Sequence, residues 1–215
     1  MPVNNLKLAD DFAAEYDSSV LHNNWNGPEI LFEATKDLLQ SKSEILDLGI
    51  GTGESSKLSE LEGHRITGLD GSEKMLEQCK NKHIGSEYIN HDLEKFPYPI
   101  EDQQFNAIIS NGVFHLVYPF LPIIEEVKRM LRPNGIFAFT YENTNDRVES
   151  REIKSGIWER ETKSGVLTYK YSDEIIDEYL NSNSFKLVVR KEFLAFTNQK
   201  VPKDIYFTAI VAQLQ

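Results

Sequence analysis

The chain has 215 residues and a formal net charge of −11, with 40% hydrophobic and 27% charged residues. That length fits one domain with a substantial core, and the acidic balance works against nucleic acid and anionic membranes, whose binding rests on basic side chains. The single cysteine, Cys79, excludes a disulfide framework and a multi-cysteine metal site; no apolar run reaches transmembrane length and no signal segment is expected, so the expected compartment is the cytoplasm.

Near the start, Leu8, Phe12 and Tyr16 recur at i, i+4 and i+8, which predicts one helical piece over residues 9–16. Residues 23–28 form a turn cluster, and Pro28 suits the first turn of a helix whose apolar face is Ile30, Leu31, Ala34, Leu38 and Leu39. A strand over residues 44–48 then runs into Gly49, Gly51 and Gly53, followed by a helix with Leu58 and Leu61 inward. Strand, glycine turn and helix is how an α/β sheet offers backbone N–H groups to a ligand.

The dinucleotide pattern G-x-G-x-x-G fails here, because Glu54 stands where the third glycine belongs, and no Gly-Lys-Ser/Thr follows. A carboxylate at that turn repels a pyrophosphate. It suits a ligand without phosphate and with positive character. The bland reading is a tight turn in an arbitrary α/β protein.

A second strand over residues 65–69 ends at Asp70, and Ser72 caps a helix carrying Met75, Leu76 and Cys79. Cys79 reads as a half-buried helix residue. A third strand covers residues 86–90, and residues 96–99 form a proline loop. The fourth strand, residues 105–110, is the clearest buried one. A helix over residues 119–131 follows, then the turn 132–135 and a fifth strand over 136–141.

Residues 142–171 break the rhythm. Asn143, Thr144, Asn145 and Asp146 are loop formers, and a hairpin is expected with arms at 157–162 and 166–171 around residues 163–165. The spacing suggests an insertion over the sheet edge. A helix over 173–180 and two strands, 185–193 and 205–212, joined by a polar loop around 198–203, close the chain. The last two lie too close for a crossover helix, so at least one is antiparallel to a mainly parallel sheet.

Four segments together resemble the class I S-adenosylmethionine-dependent methyltransferases, in their small-molecule-type branch. Leu46-Asp47-Leu48-Gly49-Ile50-Gly51-Thr52-Gly53 is similar to that family's first motif. Gly68-Leu69-Asp70-Gly71-Ser72-Glu73-Lys74-Met75-Leu76 resembles the end of its second strand. His91-Asp92-Leu93 resembles its adenine-contacting corner, and Leu131-Arg132-Pro133-Asn134-Gly135-Ile136 the turn before its fifth strand. The resemblance implies an α/β, three-layer Rossmann-like fold, with a seven-stranded, mostly parallel sheet and an antiparallel last strand. It implies a single domain over 1–215, an N-terminal lid over 1–40 and a substrate-side insertion over 142–171.

The implied cofactor is S-adenosyl-L-methionine, with Asp47, Gly49, Gly51, Gly53, Asp70, Met75, Asp92, Leu93 and Asn111 as its site. Asp70 would accept from the ribose hydroxyls, Asp92 and Leu93 would meet the adenine, and Asn111 the ligand ammonium. Asp47 would order the loop or approach the amino group. His115 is the candidate general base, with a packed histidine as the alternative. Tyr16 is the candidate lid residue over the reacting groups, and Tyr16-Asp17 resembles a short motif of the small-molecule branch. Trp25, Phe114, Tyr118, Tyr141 and Trp158 are candidates for an aromatic acceptor wall, each also readable as core packing. His91 reads as structural and His22 as an outsider in the lid.

The expected activity is methyl transfer to a small-molecule oxygen or nitrogen acceptor, without a metal, by a monomer or homodimer. An RNA or protein acceptor, for which Lys128, Arg129 and Arg132 are the tight basic cluster, and a non-catalytic cofactor-binding scaffold are the alternatives.

Overall fold

The computed structural model describes residues 5–22, 25–144, 150–162, 165–198 and 203–215. The expected turn positions 23–24, 145–146 and 163–164 and the loop centre 199–202 lie outside that set. Among the described residues no helix is long and apolar enough to cross a membrane.

In chain order the strands are β1 (Glu44–Leu48), β2 (Arg65–Asp70), β3 (Glu87–Asn90), β4 (Phe105–Ser110), β5 (Leu131–Glu142), β6 (Arg151–Lys154), β7 (Ile157–Glu161), β8 (Leu167–Tyr171), β9 (Phe185–Asn198) and β10 (Lys203–Leu214). The helices are α1 (Asn5–Phe12), α2 (Tyr16–His22), α3 (Gly27–Thr35), α4 (Lys57–Leu61), α5 (Glu73–Asn81), α6 (Leu121–Met130) and α7 (Asp173–Ser182). One seven-stranded sheet has the order β3-β2-β1-β4-β5-β10-β9. β1 is parallel to both β2 and β4, and β10 runs antiparallel to both β5 and β9. This is the expected Rossmann-like α/β fold with its reversed last strand.

Strand order reverses at β1, so the chain leaves β1 and β4 on opposite sides and opens a crevice at their carboxyl ends. Both faces of the sheet are covered, which is why its central strands read as unbroken apolar runs. Alternate residues separate two clusters. Ile45, Ala107, Ile109 and Val211 meet Leu31, Leu76 and Cys79 on one face, while Leu46, Ile108, Phe137 and Phe139 meet Ile123, Ile124 and Ile176 on the other.

Several local expectations give way to packing. The N-terminal stripe is not on one helix: residues 13–15 form a turn, where the Glu15 N–H donates to the Phe12 carbonyl at 3.0 Å. α4 is little more than one turn and buries Ser59, leaving Leu61 74% exposed; Leu38, placed on an apolar face by periodicity, is 45% exposed beyond the end of α3. β5 begins at Leu131, with the Arg132–Gly135 turn absorbed as a register shift against β4. Cys79 is fully rather than half buried, and burial pushes its thiol up.

The insertion also differs. The expected hairpin is present as β7 and β8, but β6 joins them in a separate three-stranded sheet. It does not cover an edge. The Tyr169 N–H donates to the His115 carbonyl at 2.8 Å and the Tyr171 hydroxyl to the Val117 carbonyl at 3.1 Å, so it sits over the segment leaving interior strand β4. Phe114 and Tyr141, expected in an acceptor wall, are fully buried. Phe114 packs 4.3 Å from Phe120, and the Tyr141 hydroxyl donates to Asp173 at 2.5 Å. Both belong to the core cluster that holds Phe120, Phe139 and Ile176.

At Gly53 the missing side chain would point into this packing. A Cβ there would stand 2.8 Å from Cys79 Sγ and 3.0 Å from Ile84 Cγ2, at φ +92°. Left-handed strain and overpacking act together, so Gly53→Ala should lower stability by about 2–4 kcal/mol, read as the urea midpoint.

Candidate active site

The crevice is built from the loop after β1. Gly49 N–H donates to the Leu69 carbonyl at 2.7 Å, and Gly51 N–H donates to Asp70 Oδ2 at 2.8 Å. The other oxygen, Oδ1, accepts from Ser72 N–H at 2.8 Å. The acid closing β2 therefore fixes both the glycine loop and the start of α5. Burial raises its pKa, and the two backbone N–H groups oppose that rise. Gly51 has φ +54°, and a Cβ on it would meet nothing closer than the Gly49 carbonyl at 4.0 Å. The loop is open on that side.

Asp47 lies beneath the loop, 1% exposed. Its Oδ2 accepts from Ser56 Oγ at 2.7 Å, while its Oδ1 is buried without a partner. Burial pushes its pKa up to about 7. Asn111 follows β4 directly: Nδ2 donates to Ser55 Oγ at 3.0 Å and Oδ1 accepts from Thr140 Oγ1 at 2.9 Å. Its side chain braces the loop against β5, and Asn111 still lines the crevice.

The N-terminal helices lie across the loop. Thr52 Oγ1 donates to Asp17 Oδ1 at 2.6 Å, Lys82 bridges Asp17 and Glu54, and Ser72 Oγ donates to Asp10 at 2.5 Å. Glu54 thus shares Lys82 with Asp17 while still lining the crevice. Tyr16 and Trp25 line the crevice with Gly49, Gly51, Glu54 and Asn111. Burial, then nearby Asp70 and Asp17, push the Tyr16 hydroxyl up to about 12, so it stays protonated.

Sequence reasoning missed Thr52, Lys82 and Thr140, whose roles come from distant partners; only Asp17 carried a local signal, in Tyr16-Asp17. Met75, Asp92 and Leu93 lie outside the lining of the crevice. Met75 is 5% and Leu93 8% exposed, and Asp92 accepts from Glu94 N–H at 3.0 Å. His91 is held by the Lys95 carbonyl at 2.8 Å, as a structural histidine would be. The side chain of His22 lies outside the described residues.

His115 stands one ring beyond the crevice. Its ring meets Phe207 edge-on at 5.2 Å, and Phe207 meets Trp25 at 5.3 Å. Nδ1 is buried without a partner, and burial lowers its pKa, so the ring is neutral near pH 7. Tyr118 stacks on Tyr169 at 5.2 Å, and Trp158 is half-buried on β7.

Residues 46–139 match the methyltransferase domain family. That stretch holds the glycine loop, Asp70 and the Asp92–Leu93 corner, the segments that resemble the class I S-adenosylmethionine-dependent methyltransferases. Among methyltransferase relatives, the malonyl-[acyl-carrier protein] O-methyltransferase of Enterobacter lignolyticus is 28% identical over 134 residues, covering 62% of this chain and 53% of that protein. This chain spans about half the length of the curated relatives it matches first. Two solved methyltransferase structures share the fold. That from Methanosarcina mazei has a TM-score of 0.70 at 17% identity, covering 84% of this chain and 96% of its own. The 1,6-didemethyltoxoflavin-N1-methyltransferase of Burkholderia thailandensis, solved with bound 1,6-didemethyltoxoflavin and S-adenosylhomocysteine, has 0.70 at 16%, covering 100% of this chain and 94% of its own.

The methyltransferase donor set fits a cation. A half-buried carboxylate, Asp70, lies at an open glycine loop and a buried one with an orphan oxygen, Asp47, beneath it, and Lys82 is already paired. Asp47 also makes stability depend on pH. Its folded pKa is raised, so the native state holds its proton more tightly and ligand-free stability falls as pH rises from about 4 through 7. Asp47→Asn should flatten that fall in thermal melts between pH 4 and 8, with the largest gain above pH 7.

Proposed function

We propose that this chain transfers the methyl group of S-adenosylmethionine to an oxygen or nitrogen of a small molecule. The observation that carries the reading is the Asp70–Gly51 contact at the rim of an open loop. When bound, the cofactor supplies an electrophilic methyl on a positively charged sulfur. Asp70 retains acceptor capacity on both oxygens for a ribose diol, and Asp47 Oδ1 is the free acceptor for an ammonium. Asp92 and the Leu93 backbone would hold the adenine, with Met75 packing beside it.

The chain's own contribution to the chemistry is mainly placement. Tyr16 and Trp25 close the crevice against water, which keeps reacting groups aligned. His115, whose Nδ1 is unpartnered, would take the proton of a hydroxyl acceptor that reaches past Phe207. Trp158 and Tyr118 would shape the acceptor side. Relatives named as O-methyltransferases favour oxygen. An RNA acceptor gains little support, because Arg129 is tied to Glu126 and Asp102 and Arg132 to Asn106.

Calorimetric titration with S-adenosylhomocysteine tests the reading: saturable binding is expected, and none below about millimolar overturns it. Asp70→Ala should weaken that binding about 10- to 100-fold, the loss expected for hydrogen bonds to a charged group. A second check incubates the protein with labelled methyl donor and fractionated metabolites. Label should pass to a small molecule, and His115→Ala should lower kcat with little change in donor affinity.

A further inference from the structure

The N-terminal helices cover the crevice without a hydrophobic seat. α1 buries none of its side chains, and Tyr16 and Asp17 at the start of α2 are half-buried. Ala13, in the turn between the helices, is the one buried side chain among residues 5–19. A segment with so few buried apolar contacts opens locally at low cost, so its polar ties decide how long it stays shut.

Those ties fall into two sets. α1 is held where Asn5 Nδ2 donates to the Leu116 carbonyl at 2.9 Å and where Asp10 accepts from Ser72 Oγ at 2.5 Å. α2 is held by Asp17. One of its oxygens accepts from Thr52 Oγ1 at 2.6 Å, and the other meets the Lys82 ammonium, which also reaches Glu54 Oε1 at 2.7 Å. Lys82 is itself fixed at the end of α5, where its N–H donates to the Gln78 carbonyl at 3.1 Å. Its side chain is only 25% exposed, so solvent screens this cluster less than it would a surface pair. A single ammonium thus joins the lid, the glycine loop and α5.

The pair stands beside the ligand's space and not in it. Among the described residues the crevice is lined by Tyr16, Trp25, Gly49, Gly51, Glu54 and Asn111, with Lys82 and Asp17 outside that lining. The space behind the lid is about 20 Å³, room for about one water, so anything larger enters by moving the lid.

We propose that Lys82 is the latch of the N-terminal lid, a positioning residue whose pair with Asp17 sets the rate at which the crevice opens. This rests on the methyltransferase reading for the ligand that passes the lid, and not for the latch. Because the pair lies outside the crevice lining, it favours closure equally with and without ligand. Such a group changes the rates of entry and exit together and leaves affinity alone. Without Lys82, Asp17 and Glu54 face each other as like charges, and their repulsion pushes α2 off the loop.

The test uses the full chain and S-adenosylhomocysteine, with binding followed in stopped flow by tryptophan fluorescence, since Trp25 lines the crevice. Lys82→Met should raise the association and release rates together by about fivefold and leave the dissociation constant within about threefold, while Lys82→Arg should keep both rates near wild type. Hydrogen exchange of the ligand-free protein is the second readout. Amides over residues 5–22 should exchange about fivefold faster in Lys82→Met, with those of β1 unchanged. Asp17→Asn keeps an acceptor for Thr52 and removes the charge, so adding it to Lys82→Met should slow lid exchange again. Unchanged rates and lid exchange in Lys82→Met, faster release alone with weaker binding, or a rise in exchange across the whole chain overturns the assignment. Failure of the wild-type protein to bind S-adenosylhomocysteine strikes the cofactor reading instead, and lid exchange in the ligand-free protein still decides the latch.

Discussion

The hydrogen bond from the Gly51 amide to the Asp70 carboxylate holds the site together. It links the tip of β1's loop to the end of β2 across the parallel pair. The same carboxylate receives the Ser72 amide and so sets the start of α5. A carboxylate accepting backbone N–H groups is a strong, directional partner even when half-buried. With one side chain fixing loop, strand end and helix start, the face of Gly51 stays open and everything around it is arranged to cover that face.

The cover is electrostatic on one side and aromatic on the other. Asp10 and Asp17 bring the N-terminal helices down onto Ser72, Thr52 and Lys82. Trp25 packs on Phe193 and Phe207 from the far end of the sheet. The lid therefore takes its position from strands that are distant in sequence, and the rings leading from Trp25 through Phe207 reach His115. Trp25, Phe207 and His115 thus form a continuous run of rings leading away from the crevice.

Much of this was legible from the order of residues. The glycine loop, the acid at the end of the second strand, the Ser72 cap and the antiparallel close all read correctly because each depends on neighbours within a few positions. Single roles within those motifs were harder. Gly53 looked like Gly51 in sequence but meets Cys79 and Ile84. Glu54 looked free and in the structure shares Lys82 with Asp17. Asn111 looked ready for a ligand and also braces Ser55 against Thr140. Phe114 and Tyr141 looked available as acceptor walls and instead fill the core.

The sequence by itself determined the fold class, the strand that carries the loop and the acid that closes the second strand. Local backbone requirements and apolar periodicity are written in short stretches, so they survive without knowledge of the fold. Only the tertiary structure decided which way each side chain faces, which carboxylate keeps a free oxygen and where the small sheet of β6, β7 and β8 lies. Those outcomes depend on contacts between residues as far apart as Asp17 and Lys82 or Glu142 and Lys170. Burial and pairing are properties of such contacts and not of the residues that make them.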